Sequence, residues 1–235
     1  MNSTNSDELI TKSTSEIIES TYQNLIKGMT GLAIADKKEL IFSISRVLKN
    51  IRASNLLVLL RKEWDFWQEK GKIKDDYTKS EQHLNCLQEL LDFLDNDIPD
   101  ETRFAALKKI FLVAASETIS NREEILPQQF IRICKRLTSG EIVVLLTTYK
   151  LAKEKNFKYN PAISMHQWLE LIANNSPLKY SELVEMHEKN LITLRLISGP
   201  AYSDGSGIQM SSQLRLTSLG IAICKYLEEY ELIKP

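Results

Sequence analysis

The stretch from Leu194 to Tyr230, LRLISGPAYSDGSGIQMSSQLRLTSLGIAICKYLEEY, differs in pattern from the rest of the chain. It holds four of the eight glycines, and glycine supplies the positive φ angles that tight hairpin turns require. Residues 213–216 alternate polar and apolar side chains, which predicts a half-buried strand. Thr217 is placed to cap a helix whose apolar residues share one face. The stretch therefore predicts two short strands around a glycine-rich tip, followed by a helix.

Three helices are predicted before this stretch, over 139–155, 164–174 and 178–193. The first begins at Thr138-Ser-Gly-Glu141, a capping box in which two side chains satisfy backbone N–H groups at the helix start. Ser164 is placed to cap the second helix. The third carries Val184, His187 and Leu191 at helical spacing.

Three helices, a hairpin over 195–217 and a closing helix resemble a winged helix-turn-helix domain. The residues that carry the resemblance are 137–141, 191–197 and Leu214-Arg-Leu-Thr-Ser-Leu-Gly220, which is similar to the strand-to-helix junction of these domains. The resemblance implies a winged-helix domain over residues 137–235. A helical domain followed by such a module also resembles the bacterial abortive-infection alpha proteins, which implies a bacterial protein.

The residues before this domain carry helical patterns and no pattern typical of a strand. Apolar side chains recur every three or four positions, as in the segment from Ser54 to Lys70 with Trp64 and Trp67. Residues 1–6 are small and polar, and we expect them to be disordered. The predicted fold class is mainly α, with a helical bundle over 7–136 followed by a winged-helix domain with a small β-hairpin.

Composition predicts a cytoplasmic protein that does not enter a membrane. The 235 residues are 43% hydrophobic and carry a net charge of −1. The longest apolar runs are much shorter than the ~18 residues that span a bilayer. The N-terminus lacks a basic start followed by an apolar block, so it does not resemble a secretory signal. Cys86, Cys134 and Cys224 are widely separated, which favours reduced thiols over disulfides.

The third helix of the predicted winged domain is acidic. Winged domains that bind DNA place this helix in the major groove, where arginine and lysine neutralise phosphates. Here Glu182, Glu185 and Glu188 are predicted to be exposed beside the single cation Lys189, and the predicted tip carries Asp204 and no cation. We therefore interpret this helix as a protein-interaction face, used with a protein partner or in a homodimer. A purely structural role is the other interpretation.

The middle of the chain is basic and gives the alternative function, a DNA- or RNA-binding regulator. Residues 101–160 hold 11 basic and 6 acidic side chains. The candidate nucleic-acid surface lies within residues 103–158. The other interpretation is a solvated basic face that pairs with the acidic N-terminal half. The candidate cations are Arg132, Lys135, Arg136, Lys150, Lys153, Lys155 and Lys158.

No catalytic or metal-binding constellation stands out in the sequence. His83 and Cys86 lie one helical turn apart, but zinc normally needs four ligands and no second pair completes the set. We interpret His83 as a helix-borne histidine beside a half-buried thiol. The prediction is a non-enzymatic binding or regulatory protein with no metal and no cofactor.

Overall fold

The protein is described by a computed structural model over residues 42–44, 46–47, 50–74, 76–96, 100–116, 125–154, 162–203, 207–209 and 214–234. The disorder predicted for residues 1–6 and the helical pattern before residue 42 lie outside these ranges. The described residues are mainly helical, so the predicted class is confirmed at that level. No helix in the described ranges is both long enough and apolar enough to cross a bilayer.

Helices account for most of the described residues. In chain order they are α1 (Ile51–Glu69), a 3-10 helix (Tyr77–Lys79), α2 (Glu81–Asn96), α3 (Glu101–Ala115), α4 (Leu126–Lys135), α5 (Ser139–Lys153), α6 (Met165–Asn174), α7 (Ser181–Thr193) and α8 (Ser218–Ile233). Residues 42–44 and 46–47 are also helical.

Local capping explains where several of these helices begin. The capping box predicted at Thr138 is confirmed, because its side chain accepts from the Glu141 N–H and the Glu141 carboxylate accepts from the Thr138 N–H. Ser164 forms a second capping box. The Thr217 hydroxyl accepts from a backbone N–H at the start of α8. Gly71 follows α1 with φ +64°, a left-handed conformation that glycine adopts without strain.

Helix α3 lies at the centre of the molecule. It packs against α1, α2, α4, α5 and α8. Every residue from Ile110 to Ala115 is buried, which is the pattern of a helix enclosed on all sides.

The core is continuous across residue 137, where the sequence predicted a domain boundary. Trp64 and Trp67 of α1 and Trp168 of α6 are fully buried in one connected core. Tyr230 of α8 stacks on Trp67 with ring centroids 5.8 Å apart, and its hydroxyl donates to Glu63. Helix α8 therefore packs against α1.

Three very short strands form an antiparallel sheet with the order β1–β3–β2. They are β1 (Ala162–Ile163), β2 (Tyr202–Ser203) and β3 (Gly207–Gln209). Tyr202 pairs with Ile208, and Ala162 pairs with Gln209. A separate antiparallel bridge joins Ile197 to Leu216.

The strand predicted over 213–216 is wrong within its described part. Leu214 and Arg215 have φ angles of +50° and +69°, the left-handed region, and only Leu216 takes part in a bridge. The predicted alternation of exposed and buried side chains is also absent there, because all three residues are buried. The left-handed turn directs the Arg215 side chain inward, where a carboxylate accepts its hydrogen bonds.

Candidate protein-interaction face

A buried ion pair joins α7 to the residues just before α8. Glu188 of α7 and Arg215 are 1% and 3% exposed. Arg215 Nη1 donates to Glu188 Oε2 at 3.0 Å and to Oε1 at 3.3 Å. Trp168 Nε1 of α6 donates to Glu188 Oε1 at 2.5 Å, and Arg215 Nε donates to the Ser198 carbonyl at 3.0 Å. We call Trp168, Glu188, Ser198 and Arg215 the Glu188 cluster.

The Glu188 cluster corrects the prediction that Glu188 is exposed. Glu188 belongs to the buried side of α7 because it lies four residues after Val184 and three before Leu191, both of which are fully buried. This spacing was the available signal, but a carboxylate at a buried position needs a partner that only the fold supplies. That partner, Arg215, is 27 residues away in the chain.

The opposite side of α7 faces outward and forms the candidate site. We define the outer α7 face as Glu182, Leu183, Glu185, Met186 and Lys189, all of which are exposed. Leu183 is 38% and Met186 55% exposed. Lys189 Nζ lies 3.3 Å from Glu185 Oε1, within the same helix. The three charged members of this face could be predicted from the sequence, but the two apolar ones could not, because their exposure depends on the rotation of α7.

The predicted basic surface is divided between two places, each with an acidic partner. Arg132 Nε and Lys135 Nζ lie 2.5 and 2.8 Å from the two carboxylate oxygens of Glu89 on α2. Lys153 pairs with Glu228 of α8. Arg136 and Lys150 are exposed, and Lys155 and Lys158 lie outside the described residues. Glu89 belongs to the N-terminal half that the second interpretation names as the partner, whereas Glu228 lies in α8, outside that half.

The Glu89 pairs predict how stability responds to acid. Burial by itself raises the pKa of Glu89, but hydrogen bonds from Lys135 and Arg132 outweigh this effect and hold the pKa below its ordinary value. A carboxylate whose pKa is lower in the folded state stabilises the fold above its unfolded pKa of about 4.3, and this contribution is lost as the pH falls through the folded pKa. We expect Glu89→Gln to destabilise the protein at neutral pH and to differ progressively less from wild type below about pH 4.

Urea unfolding at a series of pH values measures this difference. Glu81→Gln is the matched control, because Glu81 begins the same helix and is exposed. An equal and pH-independent effect of the two substitutions would contradict the expected role of Glu89.

An open cleft lies between α3, α5 and α8, with a cavity of about 400 Å³. Lys150 and Lys153 line one side, with Glu228 and Glu231 opposite, over an apolar floor that includes Leu146 and Leu227. Lys109 Nζ lies 2.5 Å from Glu231 Oε1 across the cleft. The opposite charges within the cleft largely neutralise one another, so they do not form a basic surface.

His83 and Cys86 are both core residues. His83 is fully buried among aromatic rings, with centroids 5.0 Å from Trp64 and 5.3 Å from Phe111. The thiol of Cys86 is also fully buried rather than half-buried, and burial raises its pKa to about 12. The three cysteines are free and buried. In the described part of the chain, no three histidine, cysteine or acidic side chains form a group that could hold a metal ion.

Comparisons with protein-family models, with curated proteins and with solved structures found no match to this chain.

Proposed function

We propose that residues 137–235 form a winged-helix domain and that the protein acts by protein contact through the outer α7 face. The order of elements supports the winged-helix assignment: α5, α6 and α7 precede the short strands β2 and β3, and α8 closes the region. β1, between α5 and α6, pairs with β3, as an additional strand beside the wing. In this assignment α7 occupies the position of the groove-reading helix.

One observation carries the choice of protein over nucleic acid as the partner. The outer α7 face presents Leu183 and Met186 between carboxylates. Phosphate contact requires cations, whereas exposed apolar side chains with a polar rim are typical of protein interfaces. Of its charged members, Lys189 is the only cation, and it pairs with Glu185.

The basic region is the weaker candidate for a binding surface. Arg132 and Lys135 share Glu89, and Lys153 pairs with Glu228, so phosphate binding would have to displace existing ion pairs. We propose a non-enzymatic, regulatory role. We also propose that the protein is cytoplasmic, and its three free, buried thiols fit that location.

Site-specific photocrosslinking tests the proposed function. A photoreactive phenylalanine analogue replaces Met186 in the full chain, which is expressed in cells of the source organism. We expect a discrete adduct after irradiation that protease removes and nuclease leaves intact, because the outer α7 face contacts protein.

The same analogue at Lys225, an exposed position on α8, is the matched control. It should give no such adduct. An adduct at Met186 that nuclease removes, or a yield at Met186 no higher than at Lys225, would refute protein contact through this face.

A further inference from the structure

A second exposed apolar face lies on α1, on the side away from the core. Ile51, Leu59 and Phe66 are 82%, 55% and 42% exposed. Their separations of eight and seven residues place them on one stripe of the helix, which also includes Lys62. We define the outer α1 face as Ile51, Arg52, Leu59, Lys62 and Phe66.

The two outer faces carry opposite charge. The exposed charged residues of α1 are two cations, Arg52 and Lys62, and one carboxylate, Glu69, and the exposed Lys70 follows directly after the helix. Arg52 and Lys62 form no ion pair within the described residues. The outer α7 face has two carboxylates and one cation. One face is therefore apolar and basic, and the other is apolar and acidic.

The shapes of the two faces also suit each other. Leu59, Lys62, Glu63 and Phe66 occupy positions i, i+3, i+4 and i+7, which outline a hole that one side chain of a facing helix can fill. Of these, Glu63 is partly buried and pairs with Lys108. Met186 is long, unbranched and 55% exposed, so it suits such a hole. Glu182 and Glu185 lie within one helical turn of Met186, within reach of a cation beside the hole.

We propose that the protein self-associates head to tail, with the outer α7 face of one copy docked on the outer α1 face of the next. The proposal rests on the proposed function and names a second copy as the partner, because the same chain carries the complementary surface. Two different faces meet in such a contact, and each pair of copies keeps one unused α1 face and one unused α7 face. Further copies add until a ring closes or a filament grows.

Two variants that each block one face test this arrangement. Leu59→Asp blocks the outer α1 face, and Met186→Asp blocks the outer α7 face. Both residues are exposed, so circular dichroism should show both variants folded like wild type. Analytical ultracentrifugation of the full chain then measures mass as a function of concentration.

We expect wild type to grow in mass with concentration and each variant alone to remain monomeric, because burying an aspartate at the contact weakens association by about tenfold or more. An equimolar mixture of the two variants should form a dimer and nothing larger, since only one intact α1 face and one intact α7 face remain. Leu232→Asp, at an exposed position on α8, should associate like wild type.

Other outcomes overturn the proposal in different ways. A Leu59→Asp variant that still dimerises alone would show that self-association does not need the outer α1 face. A wild-type protein that stays monomeric at every concentration would exclude self-association. In that case a protein adduct at Met186 would still support protein contact through the outer α7 face. The two experiments therefore distinguish a failure of self-association from a failure of the proposed function.

Discussion

Glu188→Ala should lower the free energy of unfolding by about 3–5 kcal/mol, the cost of leaving a buried charge without its partner. Arg215 is 3% exposed, and within the cluster its guanidinium would keep the Ser198 carbonyl and the Trp168 ring, whose centroid lies 5.3 Å away, but no carboxylate. The indole N–H of Trp168 also loses its acceptor. For a protein of this size the melting temperature should fall by about 6–20 °C. Chemical denaturation monitored by tryptophan fluorescence measures the loss.

Glu185→Ala is the matched control, because Glu185 lies one turn earlier on the same helix and is exposed. Its effect should stay within about 0.5 kcal/mol. The double variant Glu188→Leu with Arg215→Met should recover much of the loss, since apolar residues of similar volume often replace a buried ion pair without cost. Equal effects of Glu188→Ala and Glu185→Ala would contradict the assigned role of the Glu188 cluster.

Gly220→Ala should destabilise the protein by about 2–3 kcal/mol, although alanine usually favours a helix over glycine by about 1 kcal/mol. A Cβ at Gly220 would lie 2.1 Å from the Leu196 carbonyl oxygen, which belongs to the backbone and has little freedom to move. Thr217 holds the two segments together at this point, because its N–H donates to the same carbonyl at 3.2 Å. A thermal melt of the variant measures the effect.

Gly199→Ala controls for the loss of glycine itself, because a Cβ there meets no atom within 4 Å. We expect a change within about 0.5 kcal/mol. Gly140 is an intermediate case, since its Cβ would meet the imidazole of His187, a side chain that can rotate away. A Gly220→Ala protein as stable as wild type would show that α8 can shift away from Leu196.

The helices could be predicted because their signals are local. Asp100 shows this, since its side chain accepts from the N–H groups of Thr102 and Arg103 and begins α3. The need for glycine at position 220, in the L-T-x-x-G segment, could not be predicted from the sequence. It comes from the close approach of the Leu196 backbone, and Leu196 is 24 positions away in the chain. The turn at Leu214 and Arg215 could not be predicted either, because the alternation of polar and apolar side chains predicts a strand there.

The candidate site also has features that the sequence predicts and features that depend on the fold. The acidic character of α7 was evident from Glu182 and Glu185, and both are exposed. Which other side chains share that face depends on the rotation of the helix, in which Val184 and Leu191 are buried and Glu188 pairs with Arg215. Whether Arg132 and Lys135 are paired likewise depends on the fold. Their partner Glu89 lies 43 and 46 positions before them in the chain.

The sequence by itself determined where most of the described helices begin and end, because caps and apolar periodicity act within a few residues. It also determined that α7 carries more carboxylates than cations. Only the tertiary structure decided which charges stay in solvent and which are neutralised. A buried or paired charge is stable only beside its partner, and here the partners come from distant parts of the chain.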